Sequence, residues 1–346
     1  MKINKFLAFT ALTGSLIFSS CSSDDDFNEP EPQPEGGYSE GVIILNEGSQ
    51  SQGTVSFLDE EFSSVENNIF ESVNPGMGLG GYLQSIFFDG DLAYIISNGS
   101  NLITVVDRYT FEYVASVDSG LNIPYYGVAH NGKAYVSNLA GFDTGEDDYI
   151  AVIDLETLEV EQTLVAGTYL DKVLEEDGLI YVQGSSFGNG NSVHVFDPSS
   201  NSISYTFTTN QGLSSFEIED DNLYALSGSQ LQVFDINSHE EISTINFPED
   251  ITSPQNLDIE DDMIYFTASK SVYMMAEDAT EFPEESLFDL DEVTTLYSFE
   301  VEDDIIWTGD ARDYSSAGAV RLYSLSGELM NEFSVGINPN SFYFND

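Results

Sequence analysis

Histidine and cysteine, the side chains that most often act as catalytic bases and nucleophiles, are scarce in this chain of 346 residues. The three histidines, His130, His194 and His239, lie far apart, and none has a serine or cysteine partner at a spacing typical of a nucleophile and its base. The single cysteine, Cys21, lies near the N-terminus. The sequence therefore predicts structural histidines and a protein that is not an enzyme.

Aromatic rings in segments rich in Gly, Asn and Ser form a second group of candidates. Flat apolar faces beside amide groups suit a large, uncharged or weakly charged ligand that has rings and amides. The alternative is that several of these rings plug a channel or pack between elements. The aromatic candidates for ligand binding are Tyr82, Tyr125, Tyr126, Phe142, Tyr169, Phe187 and Tyr314.

Three polar residues complete the predicted ligand site. Asn46 and Asn138 end strand-like runs and could donate amide hydrogen bonds to a ligand. Arg312 lies beside Asp310 and Asp313, so it could contact an anionic ligand group or form an ion pair. The sequence does not separate these two roles of Arg312.

An acidic segment could hold calcium through the carboxylates of Asp143, Glu146, Asp147 and Asp148. The segment lacks the complete ligand pattern of an EF-hand loop, which favours a solvated acidic loop. No resident cofactor or metal is therefore expected.

The charge of the chain is strongly negative, with 61 acidic and 8 basic residues and a net charge of −53. Such a surface repels nucleic acids and anionic membrane surfaces, so neither is expected to be an electrostatic partner. Solubility is the simplest explanation of the charge, and a cationic partner or a saline habitat are the alternatives.

The N-terminus has the pattern of an export signal. Lys2 and Lys5 precede a short apolar run that ends at Phe18, and small residues separate this run from Cys21. This arrangement resembles a lipobox, in which the cysteine is lipidated, and the following Ser-Ser-Asp-Asp-Asp resembles the surface-export signal of Bacteroidota lipoproteins. We expect a signal peptide over 1–20 and a lipidated, acidic and Pro-rich tether over 21–40. A secreted protein with an incidental cysteine is the alternative.

An internal repeat indicates the fold. Aromatic residues follow acidic or glycine turns every 41 to 46 residues, at Tyr94, Tyr135, Tyr181, Tyr224, Tyr265 and Trp307. Each unit contains four short runs rich in Val, Ile, Tyr, Phe and Thr, which are typical of strands. Four antiparallel strands in a repeat of this length predict a propeller blade, in which the periodic aromatics are packing residues.

The repeats predict an all-β, seven-bladed propeller over 41–346. Six units begin near residues 84, 126, 171, 215, 255 and 297, and segment 41–74 supplies a partial seventh unit. The run 341–345 at the C-terminus can complete that unit, so the two chain ends would pair and close the ring. This count favours seven blades over six or eight. The candidate aromatics then fall in loops that gather on one face of the ring.

The opening of this region resembles a known family. Ile43-Ile44-Leu45-Asn46-Glu47-Gly48, followed by Gly53-Thr54-Val55-Ser56-Phe57-Leu58-Asp59, is similar to the start of Bacteroidota surface β-propeller lipoproteins of the DUF5074 and YncE/YVTN-like group. That group includes the BtuG-type proteins, which bind cobalamin and pass it to a TonB-dependent outer-membrane transporter. The resemblance implies a lipid-anchored, outward-facing protein of the outer membrane, with such a transporter as its partner and a corrinoid as one potential ligand.

Two other functions stay open from the sequence. The propeller could be an interaction or adhesion protein that binds protein or glycan at the cell surface. It could also be a propeller enzyme such as a lyase or quinoprotein, although no convergent His, Tyr, Arg or metal-binding set supports this.

Replacing Cys21 with alanine is expected to leave a folded protein that no longer partitions with membranes, because the lipid would be its only attachment. Detergent phase partitioning measures this, and unchanged membrane association would contradict lipidation. Replacing Asp24, Asp25 and Asp26 with alanine should instead retain the lipid and lose surface exposure, as measured by protease access on intact cells.

Overall fold

Short runs of β-branched and aromatic residues, each bounded by acidic or glycine turns, form the strands of this protein. The computed structural model describes residues 36–142 and 144–345, and these fold into seven four-stranded antiparallel sheets. The expected seven-bladed β-propeller is confirmed. Residues 1–35, with the predicted signal peptide, Cys21 and most of the tether, lie outside the described residues.

The first blade combines the two ends of the propeller. From the channel outward its strands are β28 (Pro339–Asn345), β1 (Gly41–Asn46), β2 (Thr54–Asp59) and β3 (Val65–Asn67). A five-residue helix, α1 (Ile69–Val73), follows β3 and buries Ile69 and Phe70. No helix among residues 36–142 and 144–345 has the length and apolar character needed to cross a membrane.

The other six blades follow in chain order, and within each blade the first strand is the innermost. The second blade comprises β4 (Leu83–Asp89), β5 (Leu92–Ser97), β6 (Leu102–Asp107) and β7 (Tyr113–Val117). The third comprises β8 (Pro124–His130), β9 (Lys133–Asn138), β10 (Tyr149–Asp154) and β11 (Glu159–Val165). The fourth comprises β12 (Val173–Glu176), β13 (Leu179–Ser186), β14 (Asn189–Asp197) and β15 (Ser202–Thr208).

The remaining three blades complete the ring. The fifth comprises β16 (Ser215–Glu219), β17 (Asn222–Ser227), β18 (Gln230–Asp235) and β19 (Glu241–Asn246). The sixth comprises β20 (Pro254–Glu260), β21 (Met263–Ala268), β22 (Ser271–Ala276) and β23 (Phe288–Asp289). The seventh comprises β24 (Leu296–Glu302), β25 (Ile305–Asp310), β26 (Ala319–Ser324) and β27 (Leu329–Ser334).

The recurring Asp-Asp pairs form the first hairpin turn of three blades. Asp220 and Asp221 have φ angles of 46° and 63°, and Asp261 and Asp262 have 50° and 62°. Two successive residues with positive φ characterise a type I′ turn, whose twist matches that of the flanking strands. The acids therefore recur because this turn recurs.

The core lies between neighbouring blades, where the periodic aromatics are packed. Tyr94, Tyr181 and Trp307 are each 1% exposed. Trp307 contacts Phe342 and Phe344 of β28 and Phe62 of the turn between β2 and β3, at ring-centroid distances of 5.2 to 5.8 Å. These contacts agree with the prediction that the periodic aromatics are packing residues.

Neighbouring inner strands are joined by side chains because they are not paired in one sheet. Ser85 Oγ donates to the Tyr125 carbonyl at 2.8 Å, and Ser298 Oγ donates to the Pro339 carbonyl at 2.9 Å. Asn340 Nδ2 donates to the Leu83 carbonyl at 3.0 Å. Such bonds fix the spacing of the strands around the central channel.

Pairing of β28 with β1 closes the ring. The register joins Gly41 to Asn345 and Ile44 to Phe342. The Asn345 side-chain amide donates to the Tyr38 carbonyl, and Tyr38 is 8% exposed. Residues 36–40, at the end of the predicted tether segment, therefore include a side chain that packs on the propeller.

Replacing Phe342 with alanine should lower the free energy of unfolding by about 3–5 kcal/mol, because this ring is buried at the closing strand. Denaturant unfolding measures the effect. The matched control is Phe187→Ala, which removes the same side chain from a loop where it is 64% exposed and should change stability by less than about 0.5 kcal/mol. Equal, small effects of both substitutions would contradict the closure.

Candidate functional site

Six aromatic rings and several amides gather at one end of the central channel. They come from the beginnings of inner strands and from the loops between second and third strands, which is where the sequence placed the candidate loops. The cavity between them has a volume of about 400 Å³. We name it the aromatic cup, lined by Glu47, Tyr82, Gln84, Asn98, Tyr125, Tyr126, Phe142, Phe187, Tyr297 and Asn340.

Irregular strand pairing explains why several of these side chains lie in the cup. Pairing of β4 with β5 omits Gln84, pairing of β24 with β25 omits Tyr297, and pairing of β28 with β1 omits Asn340. The pairing of β8 with β9 likewise omits Tyr125 and Tyr126. Such β-bulges leave the extra residue unpaired and redirect its side chain. The same irregularity, repeated around the ring, supplies half of the residues of the cup.

Two phenylalanines form the exposed rim of the aromatic cup. Phe142 and Phe187 are 61% and 64% exposed, and their rings meet edge to face with centroids 6.0 Å apart. Contiguous exposed apolar groups, unlike rings exposed singly, mark surfaces that bind a ligand or a partner. The rim is therefore the part of the cup most accessible to a ligand.

Hydrogen bonds hold the polar groups of the cup in place. The Tyr297 hydroxyl donates to the Glu47 carboxylate. Asn98 Nδ2 donates to Gln84 Oε1 at 3.0 Å, and Gln84 Nε2 donates to the Tyr126 hydroxyl at 3.4 Å. Burial raises the pKa of Glu47, while the hydrogen bonds from Tyr297 and Asn338 act in the opposite direction.

The structure brings five of the predicted ligand residues into the cup, namely Tyr82, Tyr125, Tyr126, Phe142 and Phe187. Tyr314 is nearby, because its ring contacts the Tyr297 ring with centroids 5.9 Å apart. The five residues that the sequence reasoning missed are Glu47, Gln84, Asn98, Tyr297 and Asn340. Only their positions in the repeat could have indicated them, because each lies at the start of an inner strand or just after a strand.

Besides Tyr314, four predicted ligand residues lie outside the cup. Asn46 and Asn138 are completely buried, and their amides donate to Ser56 Oγ at 2.9 Å and to the Val136 carbonyl at 3.0 Å, respectively. Both amides therefore form hydrogen bonds within their own blades and do not face a ligand. Arg312 forms an ion pair with Glu332 at 3.4 Å, whereas the neighbouring Asp310 pairs with Arg321 at 2.8 Å. Tyr169 is half-buried beside the loop that contains Gly145.

The described carboxyls of the acidic segment do not converge on a calcium site. Glu146 and Asp147 are exposed, whereas Asp148 is 1% exposed and accepts a hydrogen bond from the Leu170 amide at 2.9 Å. Burial raises the pKa of Asp148 to about 6. Asp143 lies outside the described residues. Across residues 36–142 and 144–345, no group of three or more His, Cys, Asp or Glu side chains is arranged to hold a metal ion.

The channel below the cup is charged. Its cavity, of about 620 Å³, shares Tyr126, Phe187, Tyr297 and Asn340 with the lining of the cup. Lys172, just before β12, forms an ion pair with Glu217 of β16 in the next blade. Burial raises the pKa of Asp171 to about 7 and also raises that of Glu300. In this described lining, carboxyl groups outnumber the single lysine.

The histidines lie away from the aromatic cup. His130 lies 3.1 Å from Glu175, and His239 stacks on the Tyr205 ring with centroids 3.8 Å apart. His194 Nε2 lies 3.2 Å from Ser192 Oγ, a neighbour that the sequence spacing did not indicate. None of the three lines the cup or the channel as described.

The family comparison matches most of the propeller. The family described as a domain of unknown function, DUF5074, matches residues 40–301. None of the curated proteins matches this sequence.

Solved structures share the propeller fold at low sequence identity. BamB from Moraxella catarrhalis is 16% identical with a TM-score of 0.55, over 86% of this chain and 84% of that chain. A quinoprotein alcohol dehydrogenase-like protein from Bacteroides thetaiotaomicron is 15% identical with a TM-score of 0.68, over 89% and 79%. Hydrazine synthase from Kuenenia stuttgartiensis is 15% identical with a TM-score of 0.59, over 76% and 92%. These similarities show the fold alone.

The raised pKa values of Asp148 and Asp171 make stability depend on pH. Between a pH of about 4, the usual pKa of an aspartate, and their folded-state pKa values of about 6 and about 7, the folded form holds protons that the unfolded form has released. The free energy of unfolding should therefore fall as the pH rises through this window. We expect the melting temperature to be higher at pH 5 than at pH 8.

Asp171→Asn should reduce this pH dependence, because the amide does not titrate. Asp118→Asn, at an exposed carboxyl in the loop after β7, is the matched control and should leave the dependence unchanged. A melting temperature that rises between pH 5 and pH 8 would contradict the conclusion that burial raises the pKa values of these two carboxyls.

Proposed function

The chain belongs to the DUF5074 family, and we propose that this member is a non-enzymatic ligand-capture protein of the cell surface. The observation that carries the proposal is the aromatic cup, where six rings surround a cavity at the loop face of the ring. Rings that stand open to solvent beside fixed amides offer stacking surfaces and hydrogen bonds to a ring-bearing ligand.

The proposed ligand class is a large molecule with rings and amides, of which a corrinoid such as cobalamin is one. The exposed rim formed by Phe142 and Phe187 suits stacking against a flat face. Gln84, Asn98 and Asn340 supply amides beneath the rim. The resemblance of the segment 43–59 to the opening of surface propeller lipoproteins supports the same ligand class.

The proposed location is the outer membrane, with the protein lipid-anchored through Cys21 and facing the cell exterior. The support is the export pattern of residues 1–20 and the acidic run after Cys21. A TonB-dependent transporter is the proposed partner, which would take the ligand from the cup. The net charge of −53 supports attachment through the lipid and not through attraction to anionic membrane surfaces.

An interaction or adhesion function is the second candidate. The exposed rim rings favour it, because exposed aromatic residues also mark contacts between proteins and contacts with glycans. A small ligand and a macromolecular partner would use the same rings, so the choice between the two requires binding measurements with both classes.

A thermal-shift series with cyanocobalamin, haem and oligosaccharides tests the capture function, because a ligand that binds only the folded state raises the melting temperature. We expect a shift with a ring-bearing ligand. Phe187→Ala and Tyr125→Ala should each weaken binding by at least about 2 kcal/mol if binding energy concentrates in a few rings. Isothermal titration measures this loss.

Tyr181→Ala is the control, since it removes a buried ring that does not line the cup and should destabilise the fold by about 3–5 kcal/mol. Ring variants that bind every ligand as the wild type does would contradict the proposed function. A shift with oligosaccharides alone would favour the second candidate.

A further inference from the structure

We propose that the ligand taken by the aromatic cup carries a cationic nitrogen, which Glu47 and the surrounding rings receive. The inference rests on the proposed capture function and narrows its ligand class. Among the described residues that line the cup, Glu47 is the only charged side chain, and none is Lys, Arg or His. The cup is thus a set of ring faces with one fixed carboxylate.

Glu47 is held firmly at this position. Its backbone amide donates to the Asn338 carbonyl at 2.8 Å, and its carboxylate accepts the hydroxyl of Tyr297. Within the described part of the chain, no lysine, arginine or histidine forms an ion pair with it. Partial burial removes water from the Glu47 carboxylate, which costs free energy when no cation is paired with it. A cationic group of the ligand would offset this desolvation cost.

The rings around Glu47 favour the same charge. The face of a tyrosine or phenylalanine ring attracts a cation through its quadrupole, and cages of such rings recognise quaternary ammonium groups. Tyr297 contributes both a ring to the cup and the hydroxyl that orients the carboxylate. A neutral ligand of the same shape would leave the carboxylate unpaired.

The channel beneath the cup does not oppose this preference. Its lysine, Lys172, already pairs with Glu217, and the carboxyl groups of Asp171 and Glu300 also line this cavity. The groups below the cup therefore offer an anion no free cation. The channel therefore does not offset the preference for a cation that Glu47 sets.

Choline and its neutral isostere 3,3-dimethyl-1-butanol test the inference, because the two molecules differ only in the charged nitrogen. Isothermal titration with the full-length protein should show choline binding at least about tenfold more tightly than the isostere, as a ring cage and a carboxylate both act on charge. The anion 3,3-dimethylbutanoate should not bind. Equal binding of choline and the isostere, or no binding of choline, would overturn the inference.

Glu47→Gln keeps a hydrogen-bond acceptor for Tyr297 and removes the charge, so it should weaken choline binding about tenfold and remove most of the preference for choline over the isostere. The matched control is Glu159→Gln, which removes one exposed charge from β11, away from the cup, and should change neither. Unchanged choline binding by Glu47→Gln would overturn the role of this carboxylate. The comparison of choline with its isostere uses the wild-type protein, so it tests the inference even if Glu47→Gln fails to fold.

The two proposals fail in different ways. If a ring-bearing ligand binds with loss in Phe187→Ala but choline is not preferred over its isostere, the capture function stands and the charge preference is wrong. If the ring variants bind every ligand as the wild type does, the capture function itself is wrong.

Discussion

The antiparallel pairing of β28 with β1 is the interaction on which the rest of the structure depends. It joins Gly41 to Asn345, so the first and last strands of the propeller share one blade and no inner edge of the ring is left open. The same seam places Glu47, directly after β1, and Asn340, within β28, on the loop face. Ring closure and construction of the aromatic cup are therefore consequences of one strand pairing.

Repeated blades would by themselves produce a regular channel wall, and departures from regular pairing turn that wall into a binding cup. The bulges at Gln84, Tyr297 and Asn340 release one residue each from the inner-strand ladder. Where a ladder residue would direct its side chain between blades, a bulged residue can direct it into the channel mouth. The side-chain bonds of Ser85 and Ser298 keep the neighbouring strands in place around these irregularities.

The fold could be predicted from the sequence, because hydrophobic runs of strand length and turns with Asp or Gly recur with a regular period. Both the strands and the turns depend on local residue types. It was less informative for the cup. Loop aromatics such as Phe142 and Phe187 stood out, but a bulge depends on how two strands align, and no residue type marks it. Asn46 and Asn138 misled for a related reason, since an asparagine at a strand end can face a ligand or bond to its own strand. Only packing decides between the two.

Amide hydrogen exchange of the seam is the most direct measurement of the central claim, that pairing of β1 with β28 closes the ring and supports the cup. The structure predicts that amides of β1, which lies between β28 and β2, exchange as slowly as those of the interior strand β13. Exchange of β1 and β28 at the rate of an exposed outer strand such as β11 would contradict it, because the ring would then be open at the point where the cup is built.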